Sequence, residues 1–308
     1  MNADIQRLAN NLIYDGHLRC GSLKVANQRI RYTTDPAIAI QNLPPNEVES
    51  PPGETKAAVD LSWVVDVLDP ARGAVFVDTD KLQGHESRSE GSDLVYNATE
   101  IRIIKVLTSV LQACGIEGRN VGMLSPYRTQ LRQLEIEYGI RLESGDIAQP
   151  LAADEEGSED PALTNADHAN DTMVYNGIEM HTIDRYQGRD ADVIIVSWVR
   201  SNSHQAIGEL LRDWRRINVA ITRARLKLIM VGSRSTLQRS PLLAAMLNIL
   251  AANNGIIQVP SKGMALAKRP SRNGSSASAS SEASKPVAKT AGSALLKNRP
   301  ITSNIIAE

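Results

Sequence analysis

Short runs dominated by apolar and β-branched residues recur along this chain: Gly73–Asp78, Val121–Leu124, Ile178–Ile183, Val193–Val199 and Leu226–Val231. A run with so few polar positions has no face to offer water, so each reads as a strand covered on both sides. Between the runs lie segments whose apolar residues fall three and four apart. Asn97–Cys114 carries Ile101, Ile104, Leu107, Val110 and Leu111 at that spacing; Tyr127–Tyr138 and Leu237–Ala252 also read as helices. Residues 1–32 show a helical stripe of Ile5, Leu8, Leu12 and Ile13, broken by Gly16 and Gly21. Strands alternating with helices predict an α/β fold, a mostly parallel sheet with helices on both faces.

Hydrophobic residues make up 42% of the chain, enough for a sizeable core, and with aromatics at 4% that core must be largely aliphatic. The net charge of -1 conceals two blocks of opposite sign. Leu142 to Asp184 holds no Lys or Arg but collects Glu143, Asp146, Asp154, Glu155, Glu156, Glu159, Asp160, Asp167 and Asp171. We expect a disordered acidic insert over 141–172. Beyond the globular part, Lys262, Lys268, Arg269, Arg272, Lys285, Lys289, Lys297 and Arg299 mark 261–308 as a disordered basic tail. Pro44, Pro45, Pro51, Pro52 and Gly53 make 41–57 a loop. Cys20 and Cys114 are too few for a four-thiolate metal site and read as free thiols in a reducing compartment. No apolar run approaches the roughly 20 residues of a membrane span, and no signal peptide is evident, so no membrane partner is expected.

Two segments carry chemistry. Asp213–Arg225 reads as a helix presenting Arg215, Arg216, Arg223 and Arg225. A guanidinium holds a phosphate through two N–H donors and stays charged at neutral pH. Gln187-Gly188-Arg189-Asp190 follows a strand, where a carboxyl-terminal end in an open α/β sheet binds ligands. Gly188 suits a positive φ at such a turn. Taken alone, the helix reads as a solvated face with ordinary ion pairs, and the tetrapeptide as a plain polar turn.

Together with V-G-M-L-S-P-Y-R-T-Q (121–130), the stretches H-T-I-D-R-Y-Q-G-R-D (181–190) and R-R-I-N-V-A-I-T-R-A-R (215–225) resemble motifs IV, V and VI of superfamily 1 helicases, in order. Within that superfamily the chain most resembles the DNA replication ATP-dependent helicase/nuclease branch, with the RNA-decay helicases as the competing branch. The resemblance covers roughly residues 1–250 and implies a RecA-like, P-loop NTPase-type fold, residues 1–260 forming the second RecA-like motor domain. It implies Arg223 as an arginine finger on the ATP γ-phosphate, and Gln187, Gly188 and Asp190 at the nucleotide cleft. Many relatives have Glu where Asp190 stands. Ser125, Pro126, Tyr127, Arg128 and Thr182 would face the backbone of single-stranded or flap DNA, with Tyr127 or Trp198 stacking on bases. Arg216 and Asn218 would hold the arginine helix in place.

A motor also needs G-x-x-x-x-G-K-[ST] to cradle phosphates and place Mg²⁺. The nearest stretch, Gly16 to Ser22, has Ser22 where the lysine belongs and follows no strand. The expected cofactors, ATP and Mg²⁺, would therefore sit mostly on a first RecA-like domain, the expected partner. This chain alone is expected to be inactive. Relatives carry a Q-Y-R-M-N-type motif where this chain opens Met1-Asn2, so the resemblance implies a C-terminal piece of a longer helicase. The family's nuclease site and iron–sulfur cluster would lie elsewhere in that protein. Glu54-Thr55-Lys56 imitates a nuclease E-x-K but lies in the Pro/Gly loop, and His17, His85, His168, His181 and His204 show no metal-ligand spacing. No metal site is expected. The resemblance implies a nuclear location, with the mitochondrion as alternative. A non-catalytic nucleic-acid-binding module and an RNA helicase fragment are the competing functions.

Overall fold

The computed structural model describes residues 1–43, 60–82, 84–88, 95–140 and 173–261. The acidic insert, the basic tail and the Glu54-Thr55-Lys56 mimic lie outside the described residues. Strands are β1 (Ala74–Asp78), β2 (Ser87–Arg88), β3 (Val95–Tyr96), β4 (Val121–Ser125), β5 (Met173–Tyr175), β6 (Ile178–Thr182), β7 (Ala191–Ser197), β8 (Ala224–Gly232) and β9 (Ile256–Gln258). Helices are α1 (Ala3–Ala9), α2 (Leu23–Ala26), α3 (Pro36–Gln41), α4 (Ser62–Leu68), α5 (Ala98–Ala113), α6 (Arg128–Glu137), α7 (Trp214–Thr222), α8 (Arg234–Leu237) and α9 (Pro241–Ala252).

The main sheet runs β5-β6-β4-β7-β8-β1-β9. Every pairing in it is parallel except β5 against β6. The expected α/β class, mostly parallel and RecA-like in layout, holds. Side chains of each central strand divide between two cores. Val75, Val77, Met123, Val193, Ile195, Ile229 and Val231 join one with α4, α5 and α6. Phe76, Leu124, Ile194, Val196, Leu228 and Met230 join the other with α1, α7 and α9. This is the alternation a period of two enforces, with apolar side chains demanded on both sides because both are covered.

Helix starts follow the capping chemistry. Asn97 Oδ1 accepts from Thr99 N and Glu100 N at the start of α5, and Asp213 accepts from Arg215 N at the start of α7. Asn2, fully buried, caps α1 and donates through Nδ2 to the Leu226 carbonyl at 2.7 Å, tying the first helix to β8. The stripe over 1–32 becomes α1, a π-helical turn over Asn10–Tyr14 and the short α2. Asp15 and Gly16 adopt positive φ at the break. Gly16 to Ser22 is a connection ending in the α2 cap and is preceded by helix, not strand.

The arginine helix ends earlier than its sequence suggests. Arg223 is the C-cap of α7 and Arg225 already lies in β8. The cause is sheet pairing: Ala191 N donates to the Arg223 carbonyl at 3.2 Å, drawing the backbone into register beside β7. No helix among the described residues is long and apolar enough to cross a membrane.

Candidate functional site

Because the sheet's core strands are parallel, it has two chemically distinct edges. The polar turn Gln187–Asp190 belongs to the amino edge, which corrects the expectation that it closes the carboxyl end of a strand. β6 and β7 run the same way with β4 between them, so the chain leaving Thr182 must return before entering β7 at Ala191. A 3₁₀ turn, Asp184–Tyr186, begins the return. Buried Tyr186 crosses over Gly122 of β4, where an added Cβ would come within 2.6 Å of the Tyr186 hydroxyl. The turn then exposes Gln187, Gly188, Arg189 and Asp190. Gly188 has φ +84°, the left-handed conformation the sequence anticipated.

Arg223 arrives at the same edge from α7. Its Nη1 donates to Asp190 Oδ1 at 3.3 Å and to the Arg189 carbonyl at 3.4 Å, and its Nη2 donates to Thr222 Oγ1 at 3.1 Å. Its Nε is buried and has no acceptor. A buried, unused donor on a permanently charged group is costly unless something else supplies the acceptor. The neighbouring cations each pair with one carboxylate, Arg225 with Asp192 at 3.4 Å and Arg189 with Glu179 at 2.9 Å, and Arg225 Nη2 also donates to the Asp190 carbonyl at 3.1 Å. Lys24, Arg29, Arg31 and Arg225 line a recess beside them, with Asp192. Thus the structure gathers Gln187, Gly188, Asp190 and Arg223 on one arginine-bearing rim.

Two further residues fasten that rim. Arg216 Nε donates to both oxygens of Asp184 at 3.0 and 3.1 Å, and Asn218 Nδ2 donates to Tyr14 Oη at 2.9 Å. Both therefore anchor α7 against its neighbours. His181 is buried in β6 near Arg189 and Glu179, and burial lowers its pKa, keeping the imidazole neutral. Among the described residues no group of three or more His, Cys, Asp or Glu side chains could hold a metal ion.

Ser125, Pro126, Tyr127, Arg128 and Thr182 occupy the opposite, carboxyl edge. Ser125 and Thr182 are register partners at the ends of β4 and β6. With β6 five residues long, the two edges lie roughly 16 Å apart at about 3.3 Å per residue. Ser125 is fully buried and its Oγ accepts the Tyr127 N–H at 3.2 Å, so that hydroxyl shapes the turn. Pro126, Tyr127 and Thr182 are half-buried, and Arg128 is exposed at the start of α6. Trp198, offered as a stacking residue, is wholly inside the second core. Of the two aromatics, only Tyr127 reaches the surface.

Sequence reasoning missed Glu86, Glu100, Gln130 and Arg200, which form a buried polar layer beneath the carboxyl edge. Arg200 Nε donates to Glu86 Oε2 at 2.9 Å with side chains only 9% and 6% exposed. One signal was available: Asn97-x-x-Glu100 is the pattern of a capping box.

A family model described as an AAA domain matches residues 1–235. The chain is 36% identical over 264 residues to the DNA replication ATP-dependent helicase/nuclease of Mus musculus, and 34% identical over 264 residues to that of Homo sapiens. It is 32% identical over 256 residues to that of Schizosaccharomyces pombe. These alignments cover 85%, 85% and 83% of the chain but only 20%, 20% and 15% of the relatives. The chain thus spans a fifth or less of the length of these curated relatives.

Proposed function

Because this chain belongs to the AAA-domain family, matched over residues 1–235, we propose that it is the arginine-bearing half of a two-domain, ATP-driven DNA helicase. Residues 1–260 act as the second RecA-like domain. The observation that carries this reading is Arg223: a guanidinium at the amino edge, held by Asp190 through a single ion pair at 3.3 Å. A γ-phosphoryl oxygen presented by a facing domain would compete with Asp190 for the Nη donors and take the charge stabilisation an arginine finger provides. Exposed Gln187 and the Gly188 turn let a nucleotide approach the backbone closely.

ATP and Mg²⁺ are the cofactors on this reading. This chain's residues fit the phosphate end of the nucleotide, whereas the metal's ligands and the phosphate cradle come from the first RecA-like domain. Any nuclease site or iron–sulfur cluster of the full-length protein lies outside this chain, and work on replicating DNA places the protein in the nucleus. The carboxyl edge, with Pro126, Tyr127, Arg128 and Thr182, grips the backbone of single-stranded or flap DNA with little base readout.

The test is reconstitution. By itself the purified chain hydrolyses negligible ATP. Mixed with a P-loop-bearing first motor domain of a relative, it gains DNA-stimulated hydrolysis that Arg223→Ala removes. ATP hydrolysis by the chain alone, abolished by Arg223→Ala, contradicts the divided site. DNA binding with no gain of hydrolysis on mixing favours a non-catalytic binding module.

A further inference from the structure

Among the described residues, one fully buried polar cluster serves none of the roles above. Glu100 is fully buried in the first turn of α5. Its Oε2 accepts from Ser197 Oγ at 2.6 Å and Val199 N at 2.9 Å, and its Oε1 from Asn97 Nδ2 at 3.3 Å. Gln130 binds the same groups together: Nε2 donates to Ser197 Oγ at 2.9 Å, and Oε1 accepts from Asn97 N at 2.7 Å. Burial pushes the Glu100 carboxyl up to about 8, against the pull of the Ser197 and Val199 donors. Those bonded partners are all neutral. A carboxyl group buried without a cation on it is expensive to ionise, and here it is kept as the neutral acid below about pH 8.

What it holds is a strained backbone. Val199 is β-branched, fully buried and has φ +69°. The Arg200 N–H donates to the Trp198 carbonyl at 2.7 Å across it, which makes a γ-turn of the rare, strained hand. Glu100 accepts the Val199 N–H on one side of this residue, and Asn97 Nδ2 donates to its carbonyl at 3.0 Å on the other. The turn delivers Arg200 to Glu86, whose Oε2 also accepts from Ser201 N at 2.9 Å and Asn202 Nδ2 at 3.1 Å. Gly208, at φ +76°, closes the site. A Cβ there would fall 2.5 Å from Arg200 Nη1 and 3.2 Å from Tyr127 Oη, so Arg200 and Tyr127 share one packed space.

We infer that Glu100 is a positioning residue for the carboxyl-edge DNA track: it fixes the γ-turn at Val199, the turn fixes Arg200, and Arg200 fixes Tyr127. The inference rests on the reading that this edge takes single-stranded DNA. Glu100 touches no strand itself.

The test uses the 308-residue chain and Glu100→Gln, which keeps the shape but turns an acceptor into a donor facing Ser197 and Val199. Amide hydrogen exchange reads the clamp directly. Val199 and Arg200 are protected in the wild type and exchange about tenfold faster or more in the variant. Titration with fluorescein-labelled oligothymidylate reads the track, and affinity falls roughly tenfold, the order expected when a buried donor is left unsatisfied. Unchanged exchange overturns the inference, as does faster exchange with unchanged affinity. If Glu100→Gln does not fold, Gly208→Ala tests the later link: binding weakens while the Val199 amide stays protected, and unchanged binding overturns the inference. A wild-type chain that binds no oligothymidylate removes the DNA reading and the positioning role with it, whereas the exchange rates still report whether the clamp exists.

Discussion

Arg223 at one edge of the sheet and Arg200 at the other are held in opposite ways. At the amino edge Arg223 donates to Asp190 at 3.3 Å, to the Arg189 carbonyl at 3.4 Å and to Thr222 Oγ1 at 3.1 Å. At the carboxyl edge Arg200 is sealed against Glu86 at 2.9 Å, with backbone and amide donors completing the carboxylate. A group that must change partner when a nucleotide arrives cannot be bound tightly beforehand, because every bond already made is subtracted from the bond it will form. A surface that grips a strand gains instead from being fixed in advance, since ordering it during binding costs affinity. On the proposed function, the amino edge exchanges partners and the carboxyl edge stays put.

Removing Arg223 attacks the exchanging edge most directly. In the reconstituted motor Arg223→Ala lowers ATP turnover by roughly 10³-fold, measured as steady-state phosphate release, and leaves nucleotide binding largely intact. Arg223→Lys does not rescue it, because a point charge cannot replace the planar two-donor fork. Turnover within a few fold of wild type would remove the finger.

On the fixed side, Trp198→Ala costs about 3–5 kcal/mol of unfolding free energy by chemical denaturation, the usual cost of emptying a core aromatic site. Near-wild-type stability with weakened DNA binding would return Trp198 to a stacking role and blur the contrast between the edges.

Two buried titratable groups predict the pH dependence of stability. Glu100, pushed up to about 8 by burial, contributes stability that is complete below its ordinary range and lost as pH rises through about 8. Lys227, fully buried in β8 and donating to the Asp69 and Arg72 carbonyls, is pushed down to about 7 by burial. Its contribution is complete above its ordinary value and is lost as pH falls through about 7. Melting temperatures should accordingly fall between pH 5 and 7 in the wild type and less steeply in Glu100→Gln. Lys227→Met should flatten the profile between pH 8 and 10. An identical profile in Lys227→Met would mean that the amine is charged in the folded protein.

The smallest effect belongs to the fastening of the rim. Arg216→Ala breaks a partly exposed pair with Asp184 and lowers stability by about 0.2–1 kcal/mol, read from the denaturation midpoint.

Much of this architecture is legible in the sequence, for a physical reason. The β1, β4, β7 and β8 runs are apolar because both faces of each strand are covered, and that coverage writes itself into consecutive residues. The same logic misses β9, only three residues long, and α4, whose buried Trp63, Val64, Val67 and Leu68 follow the Pro/Gly loop. Gln187–Asp190 and Arg223 were recognisable as a group, but not the edge they occupy. That depends on β4 lying between β6 and β7, a pairing made across distant sequence. The Glu100 cluster was hidden for the same reason. Asn97, Gln130 and Ser197 meet only when three separate elements fold together, although the capping pattern at Asn97 and Glu100 marked one corner of it.

The division of labour between the edges is tested most directly by one titration. Labelled oligothymidylate is added across a salt series to the wild-type chain, to Tyr127→Ala and to Arg223→Ala. The expected result is that Tyr127→Ala weakens binding by roughly tenfold or more, within the range for loss of one base–aromatic stack, while Arg223→Ala binds like wild type at each salt concentration. Equal loss in both variants would contradict the account, because DNA would then be held at the edge assigned to the nucleotide.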